Sequence, residues 1–408
     1  MPSEIDKFWT TSGRTDSFAF EIVAANNLEK HLGWLEGVTS GKLTFGFDTD
    51  LKVSGSLEVS SHKFIENCVI RVHYKPRLGT EEKPRVLCTC IASTGKMTFD
   101  KGRYSGSVEL RSVLAQYIDD KLRDAFTIGK NKSLKAELKR LVNAVAGGKY
   151  AVSSNVKDKV CTAATAFEIG KAPMEVVQSI VDSLGGQVTV KADGRMYIDQ
   201  YLAPGKKTCA WRLPSGEYSV TLPGVGIEDD GSSVPNRVSY KCAASWKQVE
   251  YVLDKKGNKT KHTSGKDKGK YKTKTVNKSK TITGRAQVSS SSPLHFNNRG
   301  RWVTDNYSMT KNLGTKGLDT TTALNNQLAA LQTEMNKKAA NKLTSLSSRT
   351  KKYTIECYYL PVSCGEVVEF EYVASGLNLH VQAMVTAIDL TLDKGARMTM
   401  TLKHVRYV

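Results

Sequence analysis

Three strings that follow one another in the last third of the 408-residue chain decide the expected fold. The first is Ser291-Ser292-Pro293-Leu294, followed closely by Asn298-Arg299-Gly300-Arg301-Trp302-Val303. A long helical pattern covers 318–349, and strand-like alternation then returns in Leu390-Thr391-Leu392 and Met398-Thr399-Met400-Thr401-Leu402. None of these strings has the spacing of a catalytic motif. They indicate an architecture rather than a reaction.

The helical pattern has a narrow apolar stripe. Leu324, Leu328, Leu331 and Met335 recur every three or four residues, and the opposite face is polar. Such a pattern predicts a helix that lies on a surface and buries one side. These four residues are therefore candidate packing or interface residues.

The first 110 residues show strand periodicity. Phe18, Phe20 and Ile22 alternate with polar or small residues, and similar alternation returns at 43–47 and 51–59. Six or so short strands with this period predict a small barrel or sandwich. The period becomes helical at about residue 111.

A helix followed by a hairpin is expected between 173 and 198. Pro173 suits the first position of a helix, and Gly185 suits the left-handed conformation that ends one. Asp193-Gly194 between alternating residues is a strong hairpin signal.

These patterns predict a mixed α+β, β-rich fold. Residues 1–110 and 205–250 are expected to form a first β module, and 111–204 an inserted helical and hairpin subdomain. The segment 251–281 is expected to be a lysine-rich hairpin insertion. Residues 282–408 complete a second β module that carries the long helix.

Composition and charge narrow the possible functions. Apolar residues make up 39% and charged residues 25% of the chain, as in ordinary globular proteins. No apolar run approaches the roughly 20 residues of a membrane span, and the N-terminus lacks the pattern of a signal peptide. The eight cysteines fit a reduced compartment better than a disulfide scaffold.

The net charge of +20 is unevenly distributed. Half of it lies between Lys255 and Lys280, where eleven lysines face one acid, Asp267. These candidate contacts for a partner or polyanion are Lys255, Lys256, Lys259, Lys261, Lys266, Lys268, Lys270, Lys272, Lys274, Lys278 and Lys280. The sequence leaves three roles open for these lysines. They could contact the phosphates of DNA or attract an anionic cell-wall polymer. They could also simply keep a solvated ribbon from pairing with neighbouring strands.

Catalytic and metal-binding interpretations find little support in the sequence. Neither Cys-x-x-Cys nor a G-x-S-x-G string is present, and the seven histidines form no i, i+4 pair. The glycines of 265–270 lack phosphate-loop spacing, and those near Asp229 do not match an EF-hand. We therefore expect no catalytic residues, no cofactor and no metal site.

The ordered strings resemble the tail-tip or baseplate hub proteins of siphophages, which are related to contractile-phage hubs and the type VI secretion spike protein. The similarity is carried by Val53-Ser54-Gly55-Ser56-Leu57, Pro173–Val177, Val234-Pro235-Asn236-Arg237-Val238, the strings quoted at the start, and Cys364-Gly365-Glu366. At this last position the family has Asp where this chain has Glu366. The lysine-rich segment and residues 1–13 have no counterpart in the family pattern.

The resemblance implies a structural protein of the virion tail tip, assembled in the host cytoplasm. Two tail-tube-like antiparallel β-barrels per subunit and a homotrimeric ring around the DNA exit channel are implied. The expected partners are the distal tail protein, the tape measure protein and other tail-tip or receptor-binding proteins. The alternative is a polyanion-binding adhesin that acts through the 255–280 lysines, with contact to DNA or an anionic cell surface.

Overall fold

A computed structural model describes every residue except 1, 2, 5, 61–67, 102, 147–149, 162–163, 203–205, 217–218, 220, 230–233, 293, 319, 347–348, 375 and 407–408. The fold is β-rich α+β, which confirms the predicted class. The chain forms two compact units. Unit 1 contains Met1–Glu228 and Lys352–His404, and unit 2 contains Asp229–Lys351 and Val405–Val408.

Strands dominate the first 111 residues. The elements are β1 (Ser3–Glu4), α1 (Lys7–Thr10), β2 (Phe18–Ala24), β3 (Asn27–Trp34), β4 (Val38–Gly46), β5 (Val53–Val59), β6 (Cys68–Tyr74), β7 (Arg77–Leu78), β8 (Glu81–Glu82), β9 (Arg85–Asp100) and β10 (Arg103–Arg111).

Helices and short strands follow. They are α2 (Ala115–Asp119), β11 (Phe126–Ile128), α3 (Leu134–Ala146), β12 (Tyr150–Val152), β13 (Thr165–Phe167), α4 (Pro173–Leu184), β14 (Gly186–Val190), β15 (Met196–Gln200), β16 (Cys209–Leu213) and β17 (Thr221–Asp229).

The rest of the chain contains the longest elements. They are β18 (Arg237–Tyr251), β19 (Thr273–Gln287), α5 (Phe296–Arg299), β20 (Thr304–Lys316), α6 (Thr321–Leu346), β21 (Arg349–Tyr358), β22 (Val367–Ala374), β23 (Leu377–Thr391) and β24 (Arg397–Arg406).

A large sheet organises unit 1. Its path runs β1-β16-β22-β23-β4-β5-β10-β9-β6-β2-β3, and β24, β21 and β17 branch from β23. Strand β23 changes neighbour along its length, because Leu377–Met384 pairs with β22 whereas Ala387–Thr391 pairs with β4. The inward-facing residues of these strands, among them Leu43, Leu57 and Ile70, form one apolar core.

The segment after β10 has an apolar core of its own within unit 1, built from residues between Val113 and Ile198. Helix α4 begins at Pro173, and Gly185 follows it with φ of +76°, as the sequence predicted. The hairpin β14–β15 turns at Gly194, whose φ is +77°. A Cβ at Gly194 would approach the Thr89 side chain to 2.8 Å, so the turn requires glycine.

The N-terminal segment, which sequence reasoning could not place, is part of the core of unit 1. Phe8 and Trp9 on α1 are buried. Arg14 forms a buried ion pair with Asp16 at 2.9 Å, and the Tyr74 hydroxyl donates to the same carboxylate at 2.5 Å. No sequence pattern signalled this, since one helical turn has no measurable period.

Unit 2 contains a three-stranded sheet in the order β19-β18-β20, with α6 packed on one face. Strand β18 pairs antiparallel with β19 and parallel with β20. The sequence reasoning grouped 205–250 with the first β module, but the structure places β18 in unit 2. Alternation defines the faces of a strand and not its partners, so the predicted division into two barrels stays a prediction.

Candidate interaction surface

The four apolar candidates lie on α6, which covers one face of the unit 2 sheet. Leu328, Leu331 and Met335 are buried against it, and Leu324 is partly buried at its edge. The helix spans Thr321–Leu346 rather than the predicted 318–349, and strand β21 already begins at Arg349. Just before the helix, Thr320 Oγ1 donates to the Gly317 carbonyl at 2.9 Å. Within the described structure, these residues pack on their own chain.

Gly284 sets the separation between α6 and the sheet. A Cβ at this position would lie 2.2 Å from the carbonyl carbon of Met335, so only glycine allows the helix backbone to come so close. Gln332 then reaches the β19 backbone, where its Nε2 donates to the Thr283 carbonyl at 2.9 Å. Lys311 on β20 binds Glu334 at 2.7 Å and ties the third strand to the same helix.

Two of the strings singled out in the sequence meet at one buried residue. The side-chain Nδ2 of Asn236 donates to the carbonyls of Leu294 and Arg301 at 2.7 and 2.9 Å, and its Oδ1 accepts from the backbone amide of Val303 at 2.7 Å. Next to it, the Arg237 guanidinium lies 3.5 Å from the centre of the Trp302 ring. The 294–303 loop is thereby held against the start of β18, where β20 begins to pair.

The lysine-rich segment continues the β18–β19 hairpin into an ordered tip. Tyr251 is paired with Thr273, and beyond that pair Val252, Thr260 and Lys272 are joined by backbone hydrogen bonds of 2.8–2.9 Å. The tip is therefore not a plain two-stranded ribbon but folds back at 254–258. Asp254 stabilises this turn by accepting hydrogen bonds from the backbone amides of Asn258 and Lys256, which lower the pKa of its carboxyl.

Ten of the eleven candidate lysines are exposed, and Lys272 is half-buried. Lys270 pairs with Asp267 at 2.9 Å, and Lys278 pairs with Glu250. The hydrogen bond from Lys278 lowers the pKa of Glu250. The other nine have no ion-pair partner among the residues that the structure describes. The structure thus brings the lysines onto one hairpin but leaves most of their charge unneutralised.

Two tyrosines organise the tip. The Lys259 ammonium lies 4.0 Å from the centre of the Tyr251 ring and 5.7 Å from that of Tyr271, and the two rings meet edge to face. Lys261 lies 5.1 Å from the Tyr271 ring on the same tip. Cation–π contacts of this kind position the two lysines without neutralising them.

A His–carboxylate group in unit 1 was not predicted. His380 Nε2 lies 2.7 Å from Glu369 Oε1, and its Nδ1 lies 3.5 Å from Glu371 Oε1. Arg212 also binds Glu371 at 2.8 Å, and its hydrogen bond lowers the pKa of that carboxyl. The ligand atoms are close enough to hold a cation, yet His380 is already hydrogen-bonded to Glu369, and Glu371 is already paired with Arg212. The signal was invisible in sequence because His380 and Glu371 meet only across a strand pair.

A cavity of about 610 Å³ in unit 1 lies beside Phe47, Lys52 and Lys207. Lys52 donates to the Phe47 carbonyl at 2.5 Å and Lys207 to the Gly365 carbonyl at 2.7 Å. Burial lowers the pKa of both lysines. Both ammonium groups already have backbone acceptors, so the cavity presents no free cation of theirs to a ligand.

Glu366 has a structural role. Its Oε2 accepts from the Ser363 amide at 2.9 Å and from the Trp211 indole at 3.0 Å, just before β22. The side chain reaches the parallel strand β16 as well as its own turn.

The fold is that of tail proteins. A tail protein from Neisseria meningitidis MC58 superposes with a TM-score of 0.56 at 10% identity, covering 95% of this chain and 97% of that one. The 43 kDa tail protein of prophage MuSo2 from Shewanella oneidensis gives 0.51 at 15% identity, covering 95% and 98%. The predicted resemblance to tail proteins is thus confirmed at the level of fold.

No protein-family model matches the chain, and the search of curated proteins gives no significant match. No helix in the described part of the chain is both long and apolar enough to cross a membrane.

Proposed function

We propose that this chain is a structural hub of a long-tailed phage tail tip. Three copies form a ring that adapts the hexameric tail tube to a threefold tip and surrounds the DNA exit channel. The proposal rests on how much of each chain the structural superpositions cover. Nearly the whole chain and nearly the whole of two tail proteins correspond, so the similarity is not confined to one common module.

The strand arrangement of unit 1 supports two β-barrels per subunit. Because β23 pairs with β22 in its first half and with β4 in its second, the sheet has two regions that meet at one strand. Gly365 lies at this junction, and its amide donates to the Val385 carbonyl at 2.7 Å. Two such regions in each of three subunits would give six β modules, which equals the number of subunits in one ring of a hexameric tail tube.

The hub has a structural role and no enzymatic one in this proposal. Its partners are the distal tail protein, the tape measure protein and other tail-tip or receptor-binding proteins, and its place is the virion tail tip after assembly in the host cytoplasm. The described surface carries exposed aromatic side chains suited to protein contacts, such as Phe99 and Tyr104 on the β9–β10 hairpin.

The purified full-length chain tests the proposal directly. Light scattering coupled to gel filtration should give three times the chain mass of 44.8 kDa, and electron micrographs should show rings with a central opening. A chain that stays monomeric alone and with the distal tail protein, at concentrations well above those in an infected cell, would contradict the hub.

A further inference from the structure

We propose that the cavity in unit 1 binds an extended peptide segment of a partner protein, which adds a strand to the free edge of β14. The cavity has a volume of about 610 Å³, within the range of ordinary ligand pockets. Four consecutive residues of the strand, 187–190, line it. Because successive side chains point to opposite faces, a strand lines a cavity with every residue only when its edge borders the cavity. This binding activity goes beyond assembly of a tail tip and does not depend on the ring.

The backbone of β14 has unused hydrogen-bonding groups on this edge. In the described structure the strand pairs with β15 alone. The Tyr201 amide donates to the Gly185 carbonyl at 3.1 Å, and the alternation of an antiparallel ladder then assigns the odd-numbered residues of β14 to bonds with β15. The N–H and C=O groups of Val188 and Val190 therefore point away from β15, and no described residue bonds to them.

These groups lie in the interior of unit 1 rather than at an open surface. Val188 is only 5% exposed, and Val190 packs against both apolar cores of the unit. Nearly all buried backbone groups in proteins are paired. Two N–H and two C=O groups that repeat at strand spacing are the pattern that the backbone of a second extended chain recognises.

A side-chain acceptor beside this edge also lacks a donor. Gln187 lines the same cavity, and its Oε1 is buried and accepts no hydrogen bond within the described part of the chain. A buried acceptor without a donor destabilises a protein. An N–H group of a bound peptide would satisfy it. This second observation points to a ligand that donates hydrogen bonds rather than to an anion.

The other walls of the cavity favour apolar side chains. They include Phe45, Leu87, Ile388, Leu390 and Met398. Lys52 and Lys207 also line the cavity, but both ammonium groups already donate to backbone carbonyls. Every second residue of an added strand points to the same side. A segment with apolar residues at alternate positions therefore fits the backbone edge and these walls together.

The edge of β14 is held in place before any partner binds. The Thr89 hydroxyl on β9 donates to the Ala192 carbonyl at 2.7 Å, in the turn that follows β14. Gly194 of the same turn packs closely against Thr89. A strand that is already fixed loses little conformational freedom when a peptide pairs with it, which favours binding.

Three variants of the full-length chain test this pairing. Val190→Pro removes the N–H that faces the cavity, and its control, Val190→Ala, shortens the same side chain but keeps that N–H. Gln187→Leu replaces the unpaired acceptor with an apolar side chain of similar size. Fluorescence polarisation measures binding of a labelled hexapeptide of alternating valine and threonine, with the same peptide N-methylated at every residue as the comparison. Circular dichroism melts show whether each variant is folded.

The parent chain should bind the hexapeptide and not its N-methylated form. Val190→Pro should bind roughly tenfold more weakly than Val190→Ala, because one backbone hydrogen bond is lost. Gln187→Leu should bind several-fold more weakly than the parent, yet melt at the same or a higher temperature, because a buried unpaired acceptor has been removed.

Equal binding by Val190→Pro and Val190→Ala, or equal binding of the two peptides, would overturn strand addition. Should the proline unfold the hairpin, Gln187→Leu decides alone, and an affinity equal to that of the parent would then overturn the proposal. No binding by the parent chain would end it. A chain that binds the peptide but stays monomeric would contradict the hub and leave this inference standing.

Discussion

At the scale of single residues, Asn236 shows how two distant strings form one structural feature. It is fully buried, and both ends of its amide are used: two donated hydrogen bonds and one accepted. An amide is the side chain that suits this position, because the loop offers both carbonyls and an N–H. The string 234–238 and the string 298–303 were recognised separately in the sequence, and only the structure shows that one side chain joins them.

Asn236→Asp should therefore destabilise unit 2 by at least about 3 kcal/mol, because it removes both donated hydrogen bonds and buries a charge. Thermal unfolding followed by circular dichroism measures the change. Asn306→Asp makes the same substitution at an exposed position of β20 and should stay within about 0.5 kcal/mol of the parent. Similar melting of the two variants would show that the Asn236 contacts contribute little.

At the scale of elements, periodicity predicted type and face well. The helix at 173–184, the hairpin at Asp193-Gly194 and the apolar stripe of the long helix all follow from residues close in sequence. The pairing partners of the strands could not be predicted from periodicity, because β18 has the same alternation whether it joins the first β module or pairs with β20. The candidate interaction surface was likewise predicted only in part. Composition located the lysines, but no local pattern predicted the fold-back of the tip at 254–258 or the contacts of Lys259 with two tyrosine rings.

The long helix gives a second prediction. Leu331 is 2% exposed and lies over the sheet, so Leu331→Asp should cost several kcal/mol by burying an unpaired charge, or should prevent assembly. Ala330→Asp adds the same charge one residue earlier on the exposed face of α6 and serves as the control. If Leu331→Asp assembles and melts like Ala330→Asp, the stripe is not a packing surface.

At the scale of the whole molecule, we expect the lysine-rich hairpin at 251–281 to be independent of the proposed ring. Its tip bonds almost entirely to itself in the described structure: to Tyr251, to the backbone of Val252 and within its own turns. In a ring of three, this segment's excess of positive charge would occur three times. Such charges repel one another unless they point outward or are neutralised. We therefore expect the hairpin on the outer rim rather than on the channel wall.

A shortened hairpin tests this independence. Beyond the Tyr251–Thr273 pair, the Val252 amide donates to the Lys272 carbonyl at 2.9 Å, so residues 253–271 can be replaced by Asn-Gly, a two-residue turn that closes such a hydrogen-bonded pair. The shortened chain should keep the oligomeric mass of the parent in light scattering, because the sheet and α6 are unchanged. Its attachment to cells should weaken, and the remaining attachment should be less sensitive to salt. A shortened chain that is monomeric while the parent is trimeric would place the tip inside the subunit interface.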